Sequence, residues 1–145
     1  MQILEIQFGT PEFDDAVRLR YAVLRKPLGM EYTAEQIAAE YDQYHLAAYA
    51  DSGILVGYLN LTPYQNDAVK MRQVAVDPAS QGSGVGKALV AASEAFAHRL
   101  GFRKMILHAR ETAVPFYLKV GYEIVGERFE EVAIPHFRME KVLGG

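Results

Sequence analysis

The chain has no cysteine. That absence excludes disulfides, thiolate zinc sites, iron–sulfur clusters and a cysteine nucleophile together. No apolar run approaches the roughly 18 residues that a membrane helix needs. Met1 to Phe8 lacks the basic start and long apolar centre of a signal peptide. Neither a membrane nor a secreted setting is expected, and a reducing cytoplasm is the default. Charge of one sign is also scarce: 15 Lys plus Arg against 18 Asp plus Glu leave −3. A nucleic-acid partner normally demands a concentrated basic face, so none is expected. His45, His98, His108 and His136 lack any H-E-x-x-H spacing, so no metal site is expected. Linkers, low-complexity stretches and repeats are missing too. What remains is 145 residues, 50% hydrophobic and 23% charged, which suffices for one core without staples. Residues 1–145 read as a single domain.

Periodicity sets the element order. Leu4, Ile6 and Phe8 alternate with Glu5 and Gln7, which predicts a strand over Ile3 to Phe8. A helix follows from Pro11, with Ala16, Leu19, Ala22 and Val23 on one face, and Pro27 and Gly29 end it. A shorter helix is expected over Ala34 to Glu40. Tyr44 to Ala50 and Ile54 to Leu61 read as strands joined by Asp51-Ser52-Gly53, and Asn66-Asp67 turns the chain into a third strand, Val69 to Val76. Gly84 to Leu100 is helical, with Val85, Leu89, Ala92, Phe96 and Leu100 as its apolar stripe. Lys104 to Ala109 (strand), Ala113 to Lys119 (helix), then Tyr122 to Arg128 and Phe137 to Val142 (strands) complete the chain. The order β-α-α-β-β-β-α-β-α-β-β predicts an α/β (α+β) fold: a mixed, mostly antiparallel sheet flanked by helices, with parallel pairing across the long helix.

The most informative stretch is Val74-Ala75-Val76-Asp77-Pro78 followed by Gln81-Gly82-Ser83-Gly84-Val85-Gly86-Lys87. Three glycines at alternate positions between a strand and a long helix let backbone N–H groups converge at a helix start, where the dipole favours an anion. A glycine-eased turn without a ligand is the plain alternative. A P-loop would need Gly at Gln81 and Ser or Thr at Ala88. A dinucleotide fingerprint would need its third glycine three residues after Gly84, not two. Both nucleotide patterns fail.

Gln81, Gly84 and Gly86 fit Gln-x-x-Gly-x-Gly. With Val-Ala-Val-Asp-Pro before them and Ala113-Val114-Pro115-Phe116-Tyr117-Leu118-Lys119-Val120-Gly121-Tyr122 after, the chain resembles the GNAT superfamily of acyl-CoA-dependent N-acetyltransferases over nearly its whole length. Arg20 to Arg25, Gly126-Glu127 and Ile134-Pro135-His136 are similar to its small ElaA-like subgroup.

That resemblance implies acetyl-CoA as acyl donor, with its pantetheine arm along the backbone of Val74 and Val76 and its pyrophosphate on Gly82, Ser83, Gly84, Val85, Gly86 and Lys87. Gln81 would fix the turn, and the Val74 N–H would polarise the acetyl carbonyl. Tyr117 is implied as the general acid that protonates the leaving thiolate, its phenol's reference pKa of about 10 standing close enough to a thiol's about 8.5. A core aromatic is the plain reading of the same residue. Many relatives carry a general-base Glu where this chain has Lys70. Glu40, Asp42, Glu127, Glu131 and His136 are therefore the candidate bases, and His136 has a suitable reference pKa. Arg110 stands where Asn or Gln is common in relatives. The acceptor is expected to be a primary amine of a small molecule or a protein, and pairing of two copies through edge strands is a further implication. A module that binds acyl-CoA without turnover, as sensor or scaffold, is the competing reading.

Overall fold

A computed structural model describes residues 1–144. Eight strands and four α-helices follow one another as β1 (Gln2–Ile6), α1 (Pro11–Arg20), α2 (Ala34–Ala38), β2 (Tyr44–Tyr49), β3 (Leu55–Pro63), β4 (Ala68–Val76), α3 (Val85–Arg99), β5 (Lys104–Arg110), α4 (Val114–Lys119), β6 (Glu123–Ile124), β7 (Phe129–Glu131) and β8 (Ile134–Val142). The strand order is β1-β2-β3-β4-β5-β8-β6, with β7 paired to β8. β4 and β5 run parallel, as the helical connection between them requires, and β1–β2, β2–β3, β5–β8, β6–β8 and β7–β8 are antiparallel. This is the mixed, mostly antiparallel sheet expected from the sequence. The chain forms two compact units, Met1–Thr62 with Gln73–Ser93, and Pro63–Arg72 with the residues from Glu94 on. β4 and α3 each contribute to both.

In the first unit α1 starts where its caps dictate. Thr10 accepts from the Phe13 N–H at 3.3 Å, Pro11 occupies the first turn, and Glu12 and Asp14 face the positive end of the helix. Phe13, Ala16 and Arg20 point inward. The α-helix ends at Arg20, and a π-turn over Tyr21–Arg25 carries the chain onward until Gly29 closes it at φ 68°. The wider turn breaks the 3.6-residue spacing, so Ala22 is exposed and does not extend the expected stripe. Arg18 pairs with Asp15 on the surface. Thr33 and Gln36 form a reciprocal capping box at the start of α2. Side chains alternate across β2 and β3. Ala47 and Tyr58 join Ile6 and Ala16 in one core cluster, while Leu46, Leu59, Ala48 and Gly57 lie on the opposite face. A Cβ at Gly57 would stand 3.1 Å from Val85 Cγ1 and 3.3 Å from Leu89 Cδ2, so its absence lets α3 lie close to β3. Along α3 the buried residues are Val85, Leu89, Val90, Ser93 and Ala97. Of the expected stripe, Val85 and Leu89 are buried, Ala92 and Phe96 half-buried, and Leu100 exposed.

In the second unit β5 is flanked by β4 and β8. Met105, Leu107, Ala109 and Met139 are buried on one face, while Lys104, His108 and Arg110 alternate onto the other, with Arg138 and Glu140 beside them. The C-terminal region differs from the sequence reading. In place of one strand over Tyr122 to Arg128 there is the two-residue β6, a break at Gly126 (φ 88°), and a β7–β8 hairpin. The hairpin turns at Val132 (φ 47°) and Ala133 (φ 60°). Neither residue type signals a turn, which is why the sequence concealed it.

Candidate active site

The first unit holds the glycine turn. Gln73 has φ 56°, an unusual conformation for a non-glycine residue, and ends the regular part of β4 just before Val74. Tyr32 donates its hydroxyl to Gln73 Oε1 at 2.6 Å. Its ring lies between the guanidinium carbons of Arg20 and Arg25, at 4.7 and 4.8 Å. Beyond Val76, Asp77 donates its N–H to the Val56 carbonyl at 2.9 Å and caps the Ala79 N–H, holding a single 3₁₀ turn over Pro78–Ser80. The Gln81 amide then reaches back to the Val76 carbonyl at 3.1 Å, tying the turn to the strand. Gly82 and Gly84 have φ 82° and 90°, and a Cβ on either would meet nothing within 4 Å. Ser83 is pinned to the Ser80 carbonyl. The Ala88 N–H is bonded to the Gly84 carbonyl at 3.0 Å, so Val85, Gly86 and Lys87 supply the N–H groups of the first turn of α3, which have no carbonyl partner within the helix. Lys87 is exposed beside them. The arrangement is an open, cationic, donor-lined cup suited to a phosphate.

Tyr117 lies in the second unit, held by the end of α4. The Tyr122 N–H is bonded to the Tyr117 carbonyl at 3.0 Å and the Gly121 N–H to the Leu118 carbonyl at 3.2 Å. With Gly121 at φ 99° this is a Schellman motif. Lys141 donates to the Val120 carbonyl at 2.8 Å and to Glu94 at 2.9 Å, while Glu94 also accepts from the Tyr122 hydroxyl at 2.8 Å. The Tyr117 ring packs between Phe116 and Tyr122, at 5.0 and 5.7 Å. Burial pushes its phenol up to about 12, so it stays protonated at neutral pH.

Of the candidate bases, Glu40 is buried in an ion pair. Arg20, fully enclosed, donates to Glu40 Oε2 at 2.7 Å and to the Tyr58 hydroxyl at 3.1 Å. His45 completes this network, with Nδ1 2.7 Å from the Tyr58 hydroxyl and Nε2 3.1 Å from the Glu40 carbonyl. Nothing in the sequence around Arg20 signals that this cation is buried. Asp42 and Glu127 are exposed.

His136 and Glu131 belong to a second cluster. His136 is buried and donates from Nδ1 to the Ile134 carbonyl at 2.8 Å, leaving Nε2 3.7 Å from Glu131 Oε2. Glu131 Oε1 lies 3.0 Å from His108 Nδ1, which is also 3.3 Å from Lys70 Nζ. A single ring nitrogen cannot donate to Glu131 and accept from Lys70 at once. Burial pushes the Glu131 carboxyl up, yet the His108 hydrogen bond and the neighbouring cations hold it below its ordinary value. Burial also lowers Lys70, with Arg72 and Arg138 adding to the effect against the pull of Glu131. The spacing of Lys70, His108 and Glu131 in sequence gave no sign that they meet. A cavity of about 810 Å³ lies along β1 and the β2–β3 turn and is lined by none of the candidate catalytic or cofactor-binding residues.

Comparison with known proteins bears on this geometry. The chain is 33% identical over 97 residues to the UPF0039 protein of Schizosaccharomyces pombe, covering 66% of this chain and 65% of that one. It is 37% identical over 73 residues to the uncharacterized N-acetyltransferase YjcF of Bacillus subtilis, covering 50% and 52%. The chain thus spans between half and two thirds of the length of these curated relatives. Among solved structures, an acyl-CoA N-acyltransferase from Pseudomonas aeruginosa superposes with TM-score 0.80 at 25% identity over 97% of this chain and 98% of that one. Escherichia coli ElaA gives 0.82 at 23% over 97% and 99%. An aminoglycoside 6'-N-acetyltransferase complexed with coenzyme A gives 0.81 at 20% over 98% and 97%. The acetyltransferase (GNAT) domain family model matches residues 17–143. The chain belongs to the GNAT acetyltransferase family.

Proposed function

We propose that residues 1–145 act as one N-acetyltransferase domain that moves acetyl from acetyl-CoA to a primary amine by direct attack. The carrying observation is the open turn at Gly82 and Gly84, with first-turn N–H groups at Val85, Gly86 and Lys87 that have no carbonyl partner within the helix, in a chain of this family. In this reading those groups take the pyrophosphate, with Ser83 and Gln81 fixing the turn. The backbone of Val74 and Val76 takes the pantetheine arm. The amine nitrogen bonds to the thioester carbonyl carbon, the C–S bond breaks, and the Tyr117 phenol gives its proton to the departing sulfur. The amine loses its proton to a base, and His136 is the residue assigned that role in this reading. The aminoglycoside-acetylating and coenzyme A-bound neighbours support a small-molecule amine and this donor. A chain without cysteine suits a cytoplasmic setting. Lys70 in place of the family's Glu favours the second reading, an acyl-CoA sensor that does not turn over.

Calorimetric titration with acetyl-CoA, CoA and ATP separately tests this, with Gly86→Asp/Lys87→Glu as control. Saturable acetyl-CoA binding lost in the control is expected. A folded protein that does not bind acetyl-CoA removes both the enzyme and the sensor readings.

A further inference from the structure

We propose that the face of the β4–β5–β8 sheet carrying Arg72, His108 and Arg138 is an anion subsite, and that the amine acceptor therefore bears a carboxylate. The assignment to an acceptor rests on the transferase reading above; the subsite itself does not. Met71 pairs with Leu107, so Arg72 and His108 come next in register, and His108 pairs in turn with Arg138. Alternation puts these three side chains on the face opposite the buried Met105, Leu107 and Met139. His108 thus lies between Arg72 and Arg138 in strand order, with the Phe129 ring 5.0 Å from its imidazole.

Countercharge on this face is insufficient. Arg72 is half-buried, and no hydrogen bond or ion pair engages it among the described residues. Arg138 meets Glu140 Oε2 with both Nε and Nη2 at 2.9 Å, and the same carboxylate also serves Lys104 through Oε1 at 3.1 Å, so one carboxylate answers two cations. Glu131 is occupied by His108 and His136. Lys70, Arg72, Lys104, Arg110 and Arg138 thus share one face with three carboxylates, Glu123, Glu131 and Glu140, in a chain whose net charge is −3. Like charges gathered in partial burial repel one another and disfavour their own charged forms, which is the direction in which Lys70 is displaced. A bound anion relieves that repulsion. Guanidinium groups present planar forks that fit a carboxylate with two parallel hydrogen bonds. A polycationic acceptor would meet repulsion here, whereas an amino acid or another amine with an acid group would meet attraction.

Malonate is the probe. Titration followed by ¹H–¹⁵N NMR of the histidine rings should show a saturable shift at His108, with the same midpoint when CoA is saturating. Arg72→Gln and, separately, Arg138→Gln should each weaken malonate binding about tenfold or more, with circular dichroism unchanged. In turnover, lysine should be used with a KM about tenfold or more below that of cadaverine, which differs by lacking the carboxylate, and Arg72→Gln should erase the difference. An unshifted His108 in a protein that binds acetyl-CoA overturns the subsite and leaves the transferase reading intact. Competition between malonate and CoA overturns it in favour of a nucleotide-phosphate contact. Malonate binding without any acetyl-CoA binding overturns the acceptor assignment alone.

Discussion

The Tyr122 backbone N–H closes on the Tyr117 carbonyl at 3.0 Å while the two rings meet nearly edge-on at 5.7 Å, so the residue that caps the carbonyls at the end of α4 also packs against the ring of the candidate acid. Backbone and ring act on the same neighbour, and Gly121 makes both contacts reachable.

The Tyr117 hydroxyl carries no hydrogen bond among the described residues, so Tyr117→Phe should leave the urea midpoint within experimental scatter. The same change should lower kcat about 10²-fold or more, the usual range for a general acid, with acetyl-CoA affinity unchanged by calorimetry. A kcat within threefold of the parent would remove Tyr117 from the chemistry.

Arg20→Met should destabilise the chain by about 3–5 kcal/mol, because it strands the Glu40 carboxylate in the interior. Glu40→Gln should also destabilise. The double variant should be less unstable than the sum of the two, with a coupling of about 1–3 kcal/mol in a denaturation cycle. Strict additivity would mean that the buried pair contributes no mutual energy.

His45 supplies a pH dependence. Burial, assisted by the Arg20 charge and opposed by the Glu40 carbonyl, lowers its folded pKa below the ordinary 6.5. The unfolded chain therefore binds a proton that the folded chain refuses. Stability from this group is complete above about 6.5, falls as the pH drops through that value, and stops falling below the folded pKa. Urea denaturation at pH 7.5 and 5.0 should show a smaller difference for His45→Gln than for the parent. Equal differences would contradict the assignment.

Val132 and Ala133 hold positive φ at both central positions of the β7–β8 turn, a conformation that Asn-Gly adopts at far lower cost. Val132→Asn/Ala133→Gly should raise unfolding free energy by about 1–2 kcal/mol, read as a higher urea midpoint. A lower midpoint would show that these side chains hold the hairpin in another way.

Local signals carried most of the fold into the sequence. Gly53 and Asn66 announced their turns, and Pro11 the start of α1. The glycine turn before α3 was legible because only backbone conformation is at stake there, and conformation leaves residue signatures. The β7–β8 hairpin was hidden because Val132 and Ala133 are held left-handed by the pairing of the strands around them. The contacts of Arg20 with Glu40, and of His108 with Lys70 and Glu131, were hidden for a different reason. They join residues 20 to 38 positions apart, the first through packing of a helix against a later loop and the others through strand register, and no periodicity within one element records how two elements meet.

Gly57 works as a shim of zero thickness. Val85 opens α3 and lies against it, so the depth of the donor-lined cup is set from the underside of the helix, one layer beneath any phosphate. Tuning of the grip on the acyl donor is accordingly open to residues that no ligand touches. A single methyl group at this position would act on the cup as a lever acts, displacing the rim by pushing at the base.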